Sequence, residues 1–133
     1  MMVYWTTGSS AENCHVALAM LARAYEPGMA DETYEMLVDD LRASRCLLWV
    51  AYRGDEVFGS ATTKVVIYPN NRRVCVITAC AGHHWQEWSH TIKEIEQYAR
   101  EAQCSAVRLS GRRGWKRVLK DYREPWVLLE KEL

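Results

Sequence analysis

One stretch, Arg73 to Gln103, limits more than any other what this chain can fold into. It reads RVCVITACAGHHWQEWSHTIKEIEQYAREAQ. Val74, Cys75, Val76 and Ile77 form an unbroken apolar run, as expected of a strand covered on both faces. Ala81-Gly82 interrupts the run. Apolar residues then recur at Trp85, Trp88, Ile92, Ile95, Ala99 and Ala102 in alternating steps of three and four, which predicts a helix from about His84 to Gln103. A strand that feeds through a glycine into a helix start presents free backbone N–H groups and the positive end of the helix dipole, a setting suited to phosphate or carboxylate. Cys104 to Leu109 reads as another strand, so the whole predicts a parallel strand–helix–strand crossover.

The segments before and after have their own signals. Val3 to Thr6 suits a short strand, and Ser9 with Glu12 fits an S-x-x-E capping box for a helix with Cys14, Leu18, Leu21 and Tyr25 on one stripe. Pro27-Gly28 ends that helix, and Asp31 can cap a second with Tyr34, Leu37, Val38 and Leu41 inward. Cys46–Arg53, Val57–Tyr68 and Arg73–Cys80 read as three strands joined by turns at Arg53–Glu56 and Pro69–Asn71, an antiparallel meander in which Gly59 marks a bulge or close backbone approach. On the crossover helix Glu96 and Arg100 are placed for an i,i+4 ion pair. Beyond it, Gly114–Tyr122 reads as a short basic helix stopped by Pro125, and Trp126–Glu132 as a final strand. The expected class is α+β: one domain over residues 1–133, with a mixed, mostly antiparallel central sheet, helices on both faces and one parallel junction.

Composition removes several classes. With 133 residues and 49% hydrophobic content a packed core is expected rather than disorder. Lys plus Arg and Asp plus Glu are equal at 17 each, so no bulk charge recruits nucleic acid or an anionic membrane. No apolar run approaches the ~20 residues that span a bilayer, and the first ten residues lack the basic start and apolar run of a signal peptide. Five cysteines, none in C-x-x-C spacing, read as reduced thiols in a cytoplasmic protein. Six Trp and seven Tyr against one Phe mean that most buried rings carry an N–H or O–H needing a partner.

His83, His84, Glu87 and His90 crowd the strand-to-helix junction. Their spacing matches no standard metal set, and none is assigned. An imidazole is a natural general base for an amine, which nominates His83 and His84; the alternative is a polar helix cap. Trp85 and Trp88 read as core packing rather than a ligand cage. Arg108, Arg112, Arg113, Lys116, Arg117, Lys120 and Arg123, with Trp115 and Tyr122 interleaved, read either as a solvated basic face or as a phosphate-binding one.

The element order, and above all the ending VRLSGRRGWKRVLKDYREPWVLLEKEL, resembles the GNAT (Gcn5-related N-acetyltransferase) superfamily. It is similar in particular to small GNAT-like proteins of phages and prophages, including internal virion proteins. The resemblance implies acetyl transfer from acetyl-CoA to a small amine or a protein amine. Thr78, Ala79 and Cys80 would bond the pantetheine arm; Gly82, His83 and His84 would hold the pyrophosphate at the helix start, and Arg113 would reach a CoA phosphate. The family's Q/R-x-x-G-x-G/A loop corresponds to Ala81–Gln86, which keeps one glycine. The Tyr that serves the family as general acid aligns with Leu119, with Tyr122 three residues on. These departures open a second reading: a catalytically inactive binding or structural protein of a phage, in the host cytoplasm or the virion, with other phage proteins as partners.

Overall fold

The computed structural model describes residues 2–5, 11–25, 33–84, 92–111 and 114–133. Strand β1 (Met2–Trp5) precedes helices α1 (Ala11–Tyr25) and α2 (Tyr34–Arg42). Strands β2 (Leu47–Arg53), β3 (Glu56–Ile67) and β4 (Arg73–Gly82) follow, then helix α3 (Ile92–Glu101), strand β5 (Ala106–Leu109) and the single-turn helix α4 (Gly114–Val118). The sheet runs in chain order, β1-β2-β3-β4-β5, antiparallel except for the parallel β4–β5 pair. No helix among the described residues is long and apolar enough to cross a membrane.

The sheet buries both faces. On one, Ala17 and Leu21 of α1 and Leu37 of α2 pack on Leu48, Val50 and Val57. On the other, Ile95 and Ala99 of α3 pack on Trp49, Ala61, Cys75 and Ile77. Full burial of each Leu, Ile or Val is worth ~1.5–3 kcal/mol. The α1 stripe centres on Ala17 and Leu21 rather than on its larger neighbours Cys14 and Leu18, which are half-buried. The small side chain lets the helix approach closely, and the Ser60 hydroxyl donates to the Ala17 carbonyl at 2.9 Å. Across the sheet the Trp49 indole N–H donates to the Thr63 hydroxyl at 2.9 Å, so this buried ring finds the partner its chemistry requires.

Several local expectations are corrected. The cap of α2 is Thr33, whose hydroxyl accepts from the Met36 amide at 3.3 Å; Asp31 lies outside the described residues, as do Ser9 of the capping box and Pro27-Gly28. β4 continues through Ala81 and Gly82, which pair with Ser60 and Gly59, so these residues do not break the strand. Described helix α3 starts at Ile92, and His84 is not helical but adopts a left-handed φ of 54°. Glu96 faces inward and accepts from the Tyr122 hydroxyl at 2.8 Å instead of pairing with Arg100. The basic helix stops at Val118. The expected strand at Trp126–Glu132 is absent: residues 119–133 contain no strand, and Leu128 and Leu129 are 88% and 87% exposed. A strand without a ladder partner has no backbone bonds to hold it, whatever its side-chain propensity.

Candidate functional site at the free end of β4

The two ends of β4 differ in their neighbours. Val74 to Ile77 pair with Ala106 to Leu109 of β5, and there the parallel ladder ends. Thr78 to Gly82 continue beside β3 alone among the described residues. Their other edge therefore carries backbone N–H and C=O groups with no strand beside them. Side-chain size changes at the same point, from Val, Cys, Val and Ile to Thr, Ala, Cys, Ala and Gly. Small residues leave a backbone edge open to a ligand.

A β-bulge marks the change. Thr62 pairs with Ala79 and Thr63 with Ile77, so Thr78 is the extra residue in β4. A bulge of this kind reverses the facing of the residues beyond it. Cys75 and Ile77 belong to the α3 face, whereas past the bulge Ala79 and Ala81 pack toward α1 and Cys80 toward α3. The bulge is pinned by two threonines. The Thr78 hydroxyl donates to the Thr62 carbonyl at 3.3 Å, and the two hydroxyl oxygens lie 2.7 Å apart. Either hydroxyl can donate across the closer contact. Thr62 is fully buried. It was not singled out from sequence; two adjacent threonines inside a buried apolar strand were its only signal.

The ladder with β3 extends one residue past Gly82, where the His83 amide donates to the Phe58 carbonyl at 2.9 Å. The His83 ring lies 5.8 Å from that of Phe58 and 5.0 Å, edge-on, from that of His84. Both histidines are exposed. Gly82 has no positive φ; the left-handed turn at the junction falls on His84, a residue type enriched there among non-glycines. Thr78, Ala79, Cys80, Gly82, His83 and His84 thus form one continuous strand end. Trp85, Gln86, Glu87, Trp88, His90, Arg112 and Arg113 lie outside the described residues.

Thiol chemistry at this end is suppressed. Desolvation pushes the Cys80 thiol up to about 12, so it holds its proton and is a poor nucleophile at neutral pH. Burial likewise raises Cys46 and Cys75 to about 11. All five cysteines are free.

Past β5, Gly111 lies against Trp115: a Cβ there would sit 2.9 Å from the indole Cδ1. Leu119 is buried, so the position where the resemblance implies a general acid holds an apolar core residue. Tyr122 does not replace it. Desolvation and the Glu96 carboxylate raise its hydroxyl pKa well above the ordinary range for tyrosine, and its proton is directed to Glu96. The expected solvated basic face is also divided. Lys116 meets Glu124 at 3.3 Å, while the Arg108 guanidinium lies over both Tyr68, at 5.6 Å, and Trp126, at 4.6 Å.

No protein-family model matches the sequence, and no curated protein is significantly similar to it. Solved structures share the architecture over nearly the whole chain. A probable acetyltransferase superposes with a TM-score of 0.73 at 17% identity, covering 100% of this chain and 97% of the other. A predicted acetyltransferase from Clostridium acetobutylicum, solved with acetyl-CoA, gives 0.68 at 13% identity over 97% and 96%. An aminoglycoside acetyltransferase from an uncultured soil metagenomic sample, in complex with sisomicin, gives 0.65 at 17% over 99% and 95%. With a mixed sheet, one parallel junction and helices on both faces, this chain has the fold of the GNAT acetyltransferases.

Proposed function

We propose that this protein is an acetyl-CoA-dependent N-acyltransferase whose cofactor arm lies along the free edge of Thr78–Gly82. The observation carrying the proposal is that β4 outruns β5 beyond the Thr78 bulge with only small side chains. That edge fits a pantetheine arm, whose amides need backbone donors and acceptors in register. A solved structure of this fold was determined with acetyl-CoA, which supports the assignment.

When bound, acetyl-CoA supplies an activated thioester. Backbone N–H groups of Thr78–Cys80 orient its carbonyl and stabilise the charge that develops on the oxygen. The Gly82 and His84 amides would face the pyrophosphate, the His83 amide being bonded to the Phe58 carbonyl. Held there, the thioester would supply an activated acyl group to an acceptor amine, the C–N bond forming as the C–S bond breaks and the sulfur keeping the electron pair. His83 or His84, or a water beside them, takes the proton from the amine. Direct transfer is favoured over an acyl-Cys80 route because Cys80 stays protonated. With Leu119 buried and Tyr122 tied to Glu96, neither residue would protonate the departing sulfur, leaving that proton to solvent.

Those two residues also favour a second reading: the fold binds CoA, or another ligand at the same edge, without turnover. This is the inactive role that the resemblance to phage and prophage proteins implies. Calorimetric titration with acetyl-CoA, followed by thiol-release assays with a panel of amines, separates the two. Binding with turnover, both lost in Gly82→Trp, supports the transferase. Binding without turnover supports the second reading. No binding at millimolar acetyl-CoA overturns the cofactor assignment.

A further inference from the structure

We infer that the acceptor is an amine carrying a carboxylate, and that Arg108 and Lys64 hold this carboxylate on the α1 side of the sheet, next to the free edge of β4. The acceptor class rests on the acyl-transfer reading above. Strand register brings the two cations to one level: Lys64 of β3 pairs with Val76 of β4, and Val76 pairs with Arg108 of β5. All three side chains face the α1 side. Their neighbours Thr63, Cys75, Ile77, Val107 and Leu109 serve the α3 side, and facing alternates along a strand. The cations therefore flank Val76 at about 10 Å from each other, two strand spacings. Thr78, where the cofactor edge begins, lies two residues further along β4, about 7 Å away.

No carboxylate among the described residues answers this pair. The ion pairs there are Arg45–Asp40 and Lys116–Glu124. Of the described basic side chains only Lys64, Arg73 and Arg108 are half-buried, and Arg73 gives its Nε–H to the Ala102 carbonyl at 3.1 Å. Two like charges partly withdrawn from water repel each other, and an anion between them relieves both. Arg108 is also held in place. Its Nη1 donates to the Tyr68 hydroxyl at 3.0 Å, and its guanidinium carbon lies over the Trp126 ring, 4.6 Å from the centroid. A ring against the face of a guanidinium leaves N–H donors along its edge, the geometry that takes a carboxylate through two parallel hydrogen bonds. With the carboxylate at this level, an amine about 7 Å away meets the thioester beside Thr78. An acceptor bearing only ammonium groups is repelled by the same two cations.

Calorimetry and thiol release with matched compounds test the assignment: 4-aminobutyrate against propylamine, and 6-aminohexanoate against pentylamine, each pair differing only in the carboxylate. In at least one pair the full chain should bind the carboxylate compound about tenfold more tightly or better, and in turnover the difference should appear in KM rather than kcat. Arg108→Gln should erase the preference, and Arg108→Lys should keep part of it. Lys64→Gln, on another strand, should reduce it, and it serves as the test variant if Arg108→Gln does not fold. Equal affinities within both pairs, or no binding of any of these compounds, overturn the inference without recourse to a variant. So does a preference that survives Arg108→Gln in a chain of native melting temperature. Tighter binding of 3-aminopropylphosphonate than of 4-aminobutyrate overturns the carboxylate class. Acetyl-CoA is titrated separately: its failure to bind removes the cofactor assignment, whereas loss of the carboxylate preference alone removes the acceptor class.

Discussion

The two halves of β4 share a backbone and a neighbour in β3, yet they do opposite work. Val74 to Ile77 is paired on both edges; Val74, Cys75 and Ile77 are buried. Thr78 to Gly82 is paired on one edge, and its side chains are small and only partly buried or exposed. The first half spends its backbone groups on the sheet, and its contribution is stability. The second has one row of backbone groups with no strand beside it among the described residues, and a ligand can bond only to groups the fold has not already used. A single residue, Thr78, separates the halves by adding one position to the strand.

Substitutions should separate the halves in opposite directions. The largest stability loss is expected from Ile77→Ala, about 2–5 kcal/mol, because it opens a cavity between sheet and α3. Urea unfolding measures it, and a loss below about 1 kcal/mol would mean that the paired half is not the rigid one. Thr78→Val should cost about 1–3 kcal/mol by leaving the buried Thr62 hydroxyl without its Thr78 partner. It should also lower acetyl-CoA affinity, since the bulge sets the facing of Ala79 to Gly82; calorimetry and urea melts on the same variant read both effects.

Alkaline pH acts on both halves. Cys75 is held at about 11 and Cys80 at about 12 against an ordinary 9.0. As pH rises past 9 the unfolded chain releases these protons first, so stability should be steady below pH 9 and decline toward pH 11–12. Urea midpoints across that range test the sign, and Cys80→Ala should flatten the decline. The smallest stability effect is expected from Gly82→Trp, within about 0.5 kcal/mol at an exposed position. The same variant should abolish acetyl-CoA binding. A large fall in its melting temperature would show that the open half also serves as scaffold.

Much of the architecture was legible from periodicity. Alternating steps of three and four marked Ile95 and Ala99 as inward, and the apolar run marked Val74 to Ile77 as a covered strand, because both patterns record burial directly. Gly59 signalled irregularity, and the β2–β3 register does shift next to it, between Ala51 and Tyr52. Features requiring knowledge of a distant partner were not legible. Glu96 looked ready to pair with Arg100 within its helix, but Tyr122, distant in sequence, took its carboxylate. Trp126 to Glu132 has the composition of a strand and pairs with none of the described strands.

By itself, the sequence determined the order and type of the elements from β1 to the last helix and the apolar faces of the main helices and strands. Those properties depend on local spacing and side-chain chemistry, which a linear string contains. It also marked the strand-to-helix junction at Gly82–His84 as the place to look for a ligand. Only the tertiary structure decided where β5 stops relative to β4, that Thr78 is an extra residue held by Thr62, and that the left-handed turn belongs to His84. Each is a matter of register between strands brought together by folding, and register depends on long-range pairing that neighbouring residues do not encode.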